Sequence, residues 1–174
     1  MSLDHLWAGW RSAYVASVVD PVVPPSGSDT GEPACVFCDL FASQASDDQR
    51  YVVHEDSLAV VVLNAFPYAS GHMLVMPRRH VGELGDLDAA ESAAVWETAR
   101  VAVAVLGAAY APDGVNLGAN LGRAAGAGIP RHVHLHVLPR WIGDTNFMTA
   151  VAATRVLPEA LSDSWAKLRA AWPR

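Results

Sequence analysis

The chain has 174 residues, of which 52% are hydrophobic and 17% are charged, and its formal net charge is −6. This length and composition predict one well-buried domain, with room for an appendage. The acidic balance argues against a whole-protein basic field for nucleic acid, although a local loop could still bind a small anion.

No membrane or secretory segment is predicted. The longest strongly apolar run, Val101 to Ala111, is well short of the roughly 20 residues that a membrane span needs. The start of the chain lacks the basic segment and apolar core of a secretory signal. Two cysteines, Cys35 and Cys38, are too few for a disulfide framework. We therefore expect a soluble cytoplasmic protein without a membrane or nucleic-acid partner.

The N-terminal segment is predicted to be an amphipathic helix followed by a linker. Apolar residues recur there at helical spacing, at Leu3, Leu6, Trp7, Trp10 and Tyr14. Residues 20–33 are rich in Pro, Gly and Ser, as linkers are. We therefore divide the chain into a helix and linker over 1–34, a main domain over 35–150 and a C-terminal helical tail over 151–174.

The main domain begins with a short helix or turn around the cysteines and continues with strands. Residues 51–65 are predicted to form two strands around the polar turn Glu55-Asp56-Ser57, and residues 72–77 form a third. Residues 88–110 form the strongest predicted helix, where Asp88 caps the start and Glu91 completes a capping box.

Two more strands are predicted over residues 115–122 and 132–139, with a glycine-rich loop between them. A terminal helix is predicted over residues 157–172, with Pro158 in its first turn. Adjacent strands around one long helix predict an α+β fold: an antiparallel sheet with a long central helix and helical extensions at both ends.

Three histidines mark the last predicted strand. His132, His134 and His136 alternate with apolar residues, so in a strand they share one face while the apolar residues pack on the helix. Three interpretations compete: a solvated polar face, three ligands of one metal ion, or acid–base and nucleophilic chemistry centred on the middle histidine. Neighbouring histidines on one face lie roughly 7 Å apart, so two ligands are easy and a third is awkward.

The loop before the histidines favours the third interpretation. It contains Gly122, Gly126 and Gly128, and backbone N–H groups freed by glycine can form a nest for an anion. A glycine loop alone is a weak signal. A glycine loop that leads directly into a row of histidines indicates a phosphate held above a nucleophile.

The stretch HVHLHVLPR resembles the His-x-His-x-His-x-x signature of the histidine triad (HIT) superfamily. The resemblance covers residues 35 to about 146, with the motifs CVFC, VVLNAFPYASGHMLVMPRRH, the glycine loop and the triad in the family's order. Residues 139–161 and the tryptophan-bearing N-terminal helix are similar to a bacterial branch that contains diadenosine tetraphosphate phosphorylases and hydrolases.

The resemblance implies roles for individual residues. His134 would attack the α-phosphorus of a nucleotide to form a nucleotidyl–histidine intermediate, and His136 would orient the phosphate or neutralise its charge. Asn64 matches a ribose-binding position and Asn120 a position near the phosphate loop. The remaining candidates are Gly126 and Gly128 for phosphate, and Phe37 and Phe66 for the base pocket. Gly128 departs from many relatives, which carry a Gln or Ser donor at this position.

Cys35 and Cys38 have the spacing of half a zinc site. A thioredoxin-like pair fits less well because no βαβ pattern surrounds it, and two metal-free thiols remain an alternative. The resemblance implies that His80 and His132 complete a structural Cys2His2 zinc site.

The resemblance also implies a function and an assembly. The chain would be a nucleotidyltransferase or hydrolase that cleaves dinucleoside polyphosphates, with phosphate as the first choice of acceptor and water as the second. A homodimer is expected, paired through the long helix and the sheet edge. The alternatives are a Hint-type nucleoside phosphoramidase and a nucleotide-binding module without turnover.

Overall fold

The computed structural model describes residues 35–144 and 158–173. Its α-helices are α1 (Val36–Ala42), α2 (Asp47–Arg50), α3 (Ala89–Tyr110) and α4 (Leu161–Ala171). Its strands are β1 (Val52–Glu55), β2 (Ala59–Leu63), β3 (Met73–Pro77), β4 (Gly114–Gly118) and β5 (Leu135–Arg140). The predicted N-terminal helix and linker, residues 1–34, lie outside the described residues.

The strands form one antiparallel sheet in the order β1-β2-β3-β5-β4. This confirms the predicted α+β fold with an antiparallel sheet. Every residue of β2 and β3 is buried, because both strands are almost wholly apolar and lie inside the sheet. The triad strand β5 lies antiparallel to β3, so the residues before β5 lie beside the end of β3 and the residues before β3 lie beside β5.

Helix α3 covers one face of the sheet. As predicted, the Asp88 side chain accepts from the Glu91 N–H and Glu91 completes the capping box. The helix has 22 residues, and an 18-residue window of it has a mean hydropathy of 1.2, so by length and composition it could cross a membrane. In this fold it lies on the sheet, and the residues of its buried apolar face pack among the strands: Val95, Ala99, Ala102, Val105 and Leu106.

Helix α4 is part of the same core. Leu168 and Trp172 are buried with the residues of α3 and the sheet, and the Trp165 indole donates to the carbonyl oxygen of Val52 at 2.8 Å. The predicted start of this helix was wrong, because the helix begins at Leu161 and Pro158 lies before it. The Glu159 carboxylate accepts a hydrogen bond from the Tyr110 hydroxyl and forms an ion pair with Lys167. These contacts hold Pro158 and Glu159 against α3, before the first residue of α4.

The opposite face of the sheet carries a smaller apolar cluster under α1. Phe37 of α1 packs there with Val52, Val60, Val62, Leu74 and Met76. Leu74 pairs with His136 across β3 and β5, so His136 lies on this second face. The sheet thus separates the α3 core from the face that carries the histidines.

Candidate active site and metal cluster

The histidines alternate with buried apolar residues, although β5 begins only at Leu135. Leu135 and Val137 join the α3 core, as predicted. Of the three interpretations, the solvated polar face does not fit, because His132 is 0% and His134 only 7% exposed. Phe37 contributes to this burial, since its ring packs against His132 and His134 at centroid distances of 5.5 and 5.4 Å, and Phe41 also packs on His132.

His134 is held in one tautomer. Its Nδ1 lies 2.8 Å from the carbonyl oxygen of His132, so Nδ1–H donates and Nε2 keeps its lone pair. Burial lowers the pKa of His134, and the neighbouring His132 lowers it further, against the opposing effect of the carbonyl acceptor. The ring is therefore neutral near pH 7, which is the form that can attack an electrophile.

His136 is linked to a fourth histidine, His72. The Tyr68 N–H donates to His72 Nδ1 at 3.1 Å, so the proton of His72 must lie on Nε2. That Nε2 is 3.0 Å from His136 Nδ1, which accepts and leaves the His136 proton on Nε2. Burial, with a smaller effect of His134, lowers the pKa of His136 to about 4. His136 is thus a neutral imidazole with one N–H to donate.

His72 was not among the site residues predicted from the sequence. Its position follows from the pairing of Leu74 with His136, because residues two apart in a strand share a face and His72 directly precedes β3. The histidine spacing alone cannot reveal this contact, since it depends on which two distant strands pair.

The other candidate residues of the 64–72 turn and of α1 differ in exposure. The Asn64 amide nitrogen lies 3.3 Å from His72 Nδ1, and its oxygen accepts from the Phe66 N–H at 3.0 Å. The NH2 group and the carbonyl oxygen of the Asn64 side chain can each make one further hydrogen bond. Phe66 is 85% exposed, whereas Phe37 is buried beneath the histidines.

The glycine loop is partly closed on itself. The N–H groups of Ala125, Gly126 and Ala127 donate to carbonyl oxygens within the loop, and Gly126 has a positive φ of 89°. These three N–H groups are therefore occupied by the loop's own turn. Asn120 and Gly126 are half-buried, and Gly128, the first residue after this turn, is exposed.

A second cluster lies at the α1 end of the site. The Sγ atoms of Cys35 and Cys38 and one ring nitrogen each of His80 and His132 all lie within 4.8 Å of one another. His132 Nδ1 is 3.5 Å from Cys35 Sγ and 3.7 Å from Cys38 Sγ, and His80 Nδ1 is 3.3 Å from Cys38 Sγ. A tetrahedral ion with sulfur and nitrogen ligands sets such edges at about 3.3–3.8 Å.

The chemistry of these four residues also fits a cation. Burial raises the pKa of Cys35, but hydrogen bonds from His132 and from backbone N–H groups bring it down to about 6. Burial and the neighbouring Cys35 raise the pKa of Cys38 to about 11. A cation would relieve this repulsion. His132 Nε2 lies 2.9 Å from the Pro77 carbonyl, the usual second bond of a metal-binding histidine.

The fold and the histidine row define the class of protein. The HIT domain family model matches residues 46–141, and the chain belongs to the HIT family. It is 37% identical over 172 residues to a Mycobacterium tuberculosis protein named AP-4-A phosphorylase, covering 99% of this chain and 86% of that protein.

Solved structures show the same fold. A zinc-bound histidine triad family protein from Mycobacterium smegmatis superimposes with a TM-score of 0.65 at 30% identity, over 79% of this chain and 92% of that one. A hypothetical histidine triad nucleotide-binding protein from Sulfolobus tokodaii gives a TM-score of 0.64 at 27% identity, over 79% of this chain and 91% of that one.

Proposed function

We propose that this protein cleaves dinucleoside polyphosphates of the diadenosine tetraphosphate type through a nucleotidyl-His134 intermediate, with phosphate as the preferred second acceptor. One observation carries the proposal. The Nδ1–H of His134 is held on the His132 carbonyl, so a neutral Nε2 is available as the nucleophile. The near full-length similarity to AP-4-A phosphorylase supports the substrate class and the acceptor.

The reaction runs in two displacements. His134 Nε2 attacks the α-phosphorus, the bond from that phosphorus to the bridging oxygen breaks, and ATP leaves. A phosphate oxygen then attacks the same phosphorus, the P–N bond breaks, and ADP leaves while His134 regains its lone pair. Water in place of phosphate would give AMP. The neutral nucleophile avoids the repulsion that a hydroxide would meet at a polyphosphate.

The remaining candidate residues would bind the substrate around His134. The Nε2–H of His136 would donate to a phosphate oxygen, and the free capacity of the Asn64 amide suits a ribose hydroxyl. Phe66 is exposed enough to stack on a base, and the buried Phe37 would form the floor beneath it. For the phosphates we propose Asn120 and Gly128, together with Gly126, whose positive φ holds the turn of this loop.

We further propose that Cys35, Cys38, His80 and His132 hold a structural zinc ion. When bound, the ion would supply a cross-link between α1 and the start of the triad strand. The fit of the four ligand atoms supports this, as does the zinc-bound relative from Mycobacterium smegmatis. Thiol ligands require reduced cysteines, which supports a cytoplasmic location. We also propose a homodimer as the working assembly.

The test is incubation with diadenosine tetraphosphate, with and without inorganic phosphate. ADP that forms only with phosphate supports phosphorolysis, and AMP plus ATP supports hydrolysis. His134→Ala should lower kcat by at least about 10⁴-fold, because the nucleophile is lost. His54→Gln, at a histidine stacked on Trp172 away from the site, should retain activity. A fully active His134→Ala variant would remove the covalent intermediate.

The Hint-type phosphoramidase alternative is less favoured. An amine leaving group needs a proton, and Gly128 has no side chain to donate one. Faster turnover of adenosine phosphoramidate than of the tetraphosphate would reverse this order. Tight nucleotide binding without product would instead indicate a binding module.

A further inference from the structure

Tyr68 packs against both members of the His72–His136 pair. Its ring is nearly parallel to His136, with an interplanar angle of 16° at a centroid distance of 5.9 Å, and it lies 4.7 Å from His72. The backbone N–H of the same residue donates to His72 Nδ1. The side chain is 45% exposed, whereas His72 is 1% exposed, so Tyr68 forms the solvent side of this pair.

We propose that Tyr68 is a positioning residue that fixes the plane and tautomer of His136, an inference that rests on the proposed function of this site. The terminal torsion of a histidine ring is broad, so packing must decide which edge of the ring faces the substrate. The Tyr68 N–H makes His72 a donor towards His136, and the Tyr68 ring limits rotation of both imidazoles. Together these contacts keep the His136 N–H available to the phosphate.

The aromatic ring and the backbone N–H of Tyr68 make these contacts. A substitution that keeps the ring and one that removes it should therefore have different effects. Tyr68→Phe keeps both contacts, and kcat should remain within about twofold. Tyr68→Leu removes the flat ring and frees His136 to rotate, so kcat should fall by about 10- to 100-fold. KM for diadenosine tetraphosphate should change little, because Tyr68 acts through His136 and not on the substrate.

Ring ¹⁵N chemical shifts of His136 in the ligand-free protein give the second readout. The wild type and Tyr68→Phe should show one neutral tautomer with the proton on Nε2. Tyr68→Leu keeps the backbone N–H but lets the His136 ring turn away from His72 Nε2, so it should show a mixture of tautomers. Thermal unfolding checks that each variant is folded. Tyr68→Met, which also lacks an aromatic ring, replaces Tyr68→Leu if that variant does not fold.

Several results would overturn the proposal. These are a single Nε2–H tautomer in Tyr68→Leu, a rise of KM with unchanged kcat, and an equal loss of kcat in Tyr68→Phe. The ¹⁵N measurement needs no turnover. If the wild type cleaves no dinucleotide, the proposed function fails, while the tautomer of His136 still decides the role of Tyr68.

Discussion

At the residue scale, the two histidines nearest the proposed reaction differ in which nitrogen carries the proton. His134 donates through Nδ1 to a carbonyl and presents a lone pair. His136 accepts at Nδ1 from His72 and presents an N–H. Because their partners differ, two identical side chains provide a nucleophile and a hydrogen-bond donor side by side. Their rings are 5.1 Å apart, close enough to contact one phosphate.

This division of roles predicts the acid limit of activity. Protonation of His136 at Nδ1 removes the acceptor for His72, and the pKa of His136 is lowered from 6.5 to about 4. His134 must also be neutral to attack, and its pKa is likewise lowered from 6.5 by burial, so kcat/KM should begin to fall only below pH 6.5. The measurement is kcat/KM for diadenosine tetraphosphate between pH 4 and 8, which reports the first displacement and not the titration of phosphate.

The lowered pKa of His136 also makes the stability of the fold depend on pH, so the activity measurement needs a control for unfolding. Between pH 6.5 and 4 the unfolded chain binds a proton at His136 that the folded protein resists, so stability falls as the pH falls. Circular dichroism at each pH separates unfolding from loss of activity. An acid limit at pH 6.5 or above in folded protein would contradict the neutral states assigned to His134 and His136.

The sequence predicted the shared face of His134 and His136, because the period of a strand is a local property. It did not predict that Phe37 buries this face or that His72 joins it. Both contacts join residues far apart in the chain, and they depend on the order of the strands and the packing of α1. The four ligand atoms at the metal cluster meet for the same reason, and only the resemblance named the two histidines.

At the scale of elements, α1 connects the proposed metal cluster to His134, the proposed nucleophile. His132 lies in the cluster through Nδ1 and holds His134 through its carbonyl oxygen. Phe37, between the two cysteines, packs on both rings. A displacement of α1 should therefore reach His134 directly.

Removal of the metal should accordingly lower both stability and activity. Cys38→Ser should lose the proposed zinc ion and at least about 2 kcal/mol of stability, which is about 4–8 °C in Tm for a domain of this size. It should also lower kcat/KM by about tenfold or more, because His134 loses its fixed support. Metal analysis, calorimetry and the cleavage assay measure the three effects.

Val36→Ala is the matched control, since Val36 lies in the same helix and is 55% exposed. It should keep the metal, the Tm and the activity. Stoichiometric zinc in Cys38→Ser would disprove the ligand set. Unchanged kcat/KM in a metal-free, folded variant would show that the cluster does not support the nucleophile.

The long central helix was easier to predict from the sequence than the start of the C-terminal helix and the domain boundaries. The capping box of Asp88 and Glu91 marked the start of α3, because it is a local pattern. Pro158 marked the start of α4 incorrectly, because contacts of Glu159 with Tyr110 and Lys167 override the local preference. The domain boundaries at 34 and 150 remain predictions, since both fall at or within segments outside the described residues.

At the scale of the whole molecule, the two edges of the sheet differ. Strand β1 lies under α4, whose Trp165 and Arg169 side chains donate to carbonyl oxygens of β1. Strand β4 pairs with β5, and no other strand of the described residues lies on its outer edge. Leu117 of β4 is 43% exposed, and Trp96 of α3 is 50% exposed. A strand edge that carries an exposed apolar residue, and that no other described strand covers, is suited to a second copy of the chain.

We therefore expect a dimer in which two β4 edges pair and extend the sheet across both copies. Light scattering should give twice the chain mass of 18.5 kDa. Leu117→Lys should produce monomers, because each symmetric pairing would bury two ammonium groups. Leu58→Lys is the matched control, since Leu58 is 37% exposed in the turn before β2, and it should stay dimeric. A dimeric Leu117→Lys variant, or a monomeric wild type at micromolar concentration, would exclude pairing through β4.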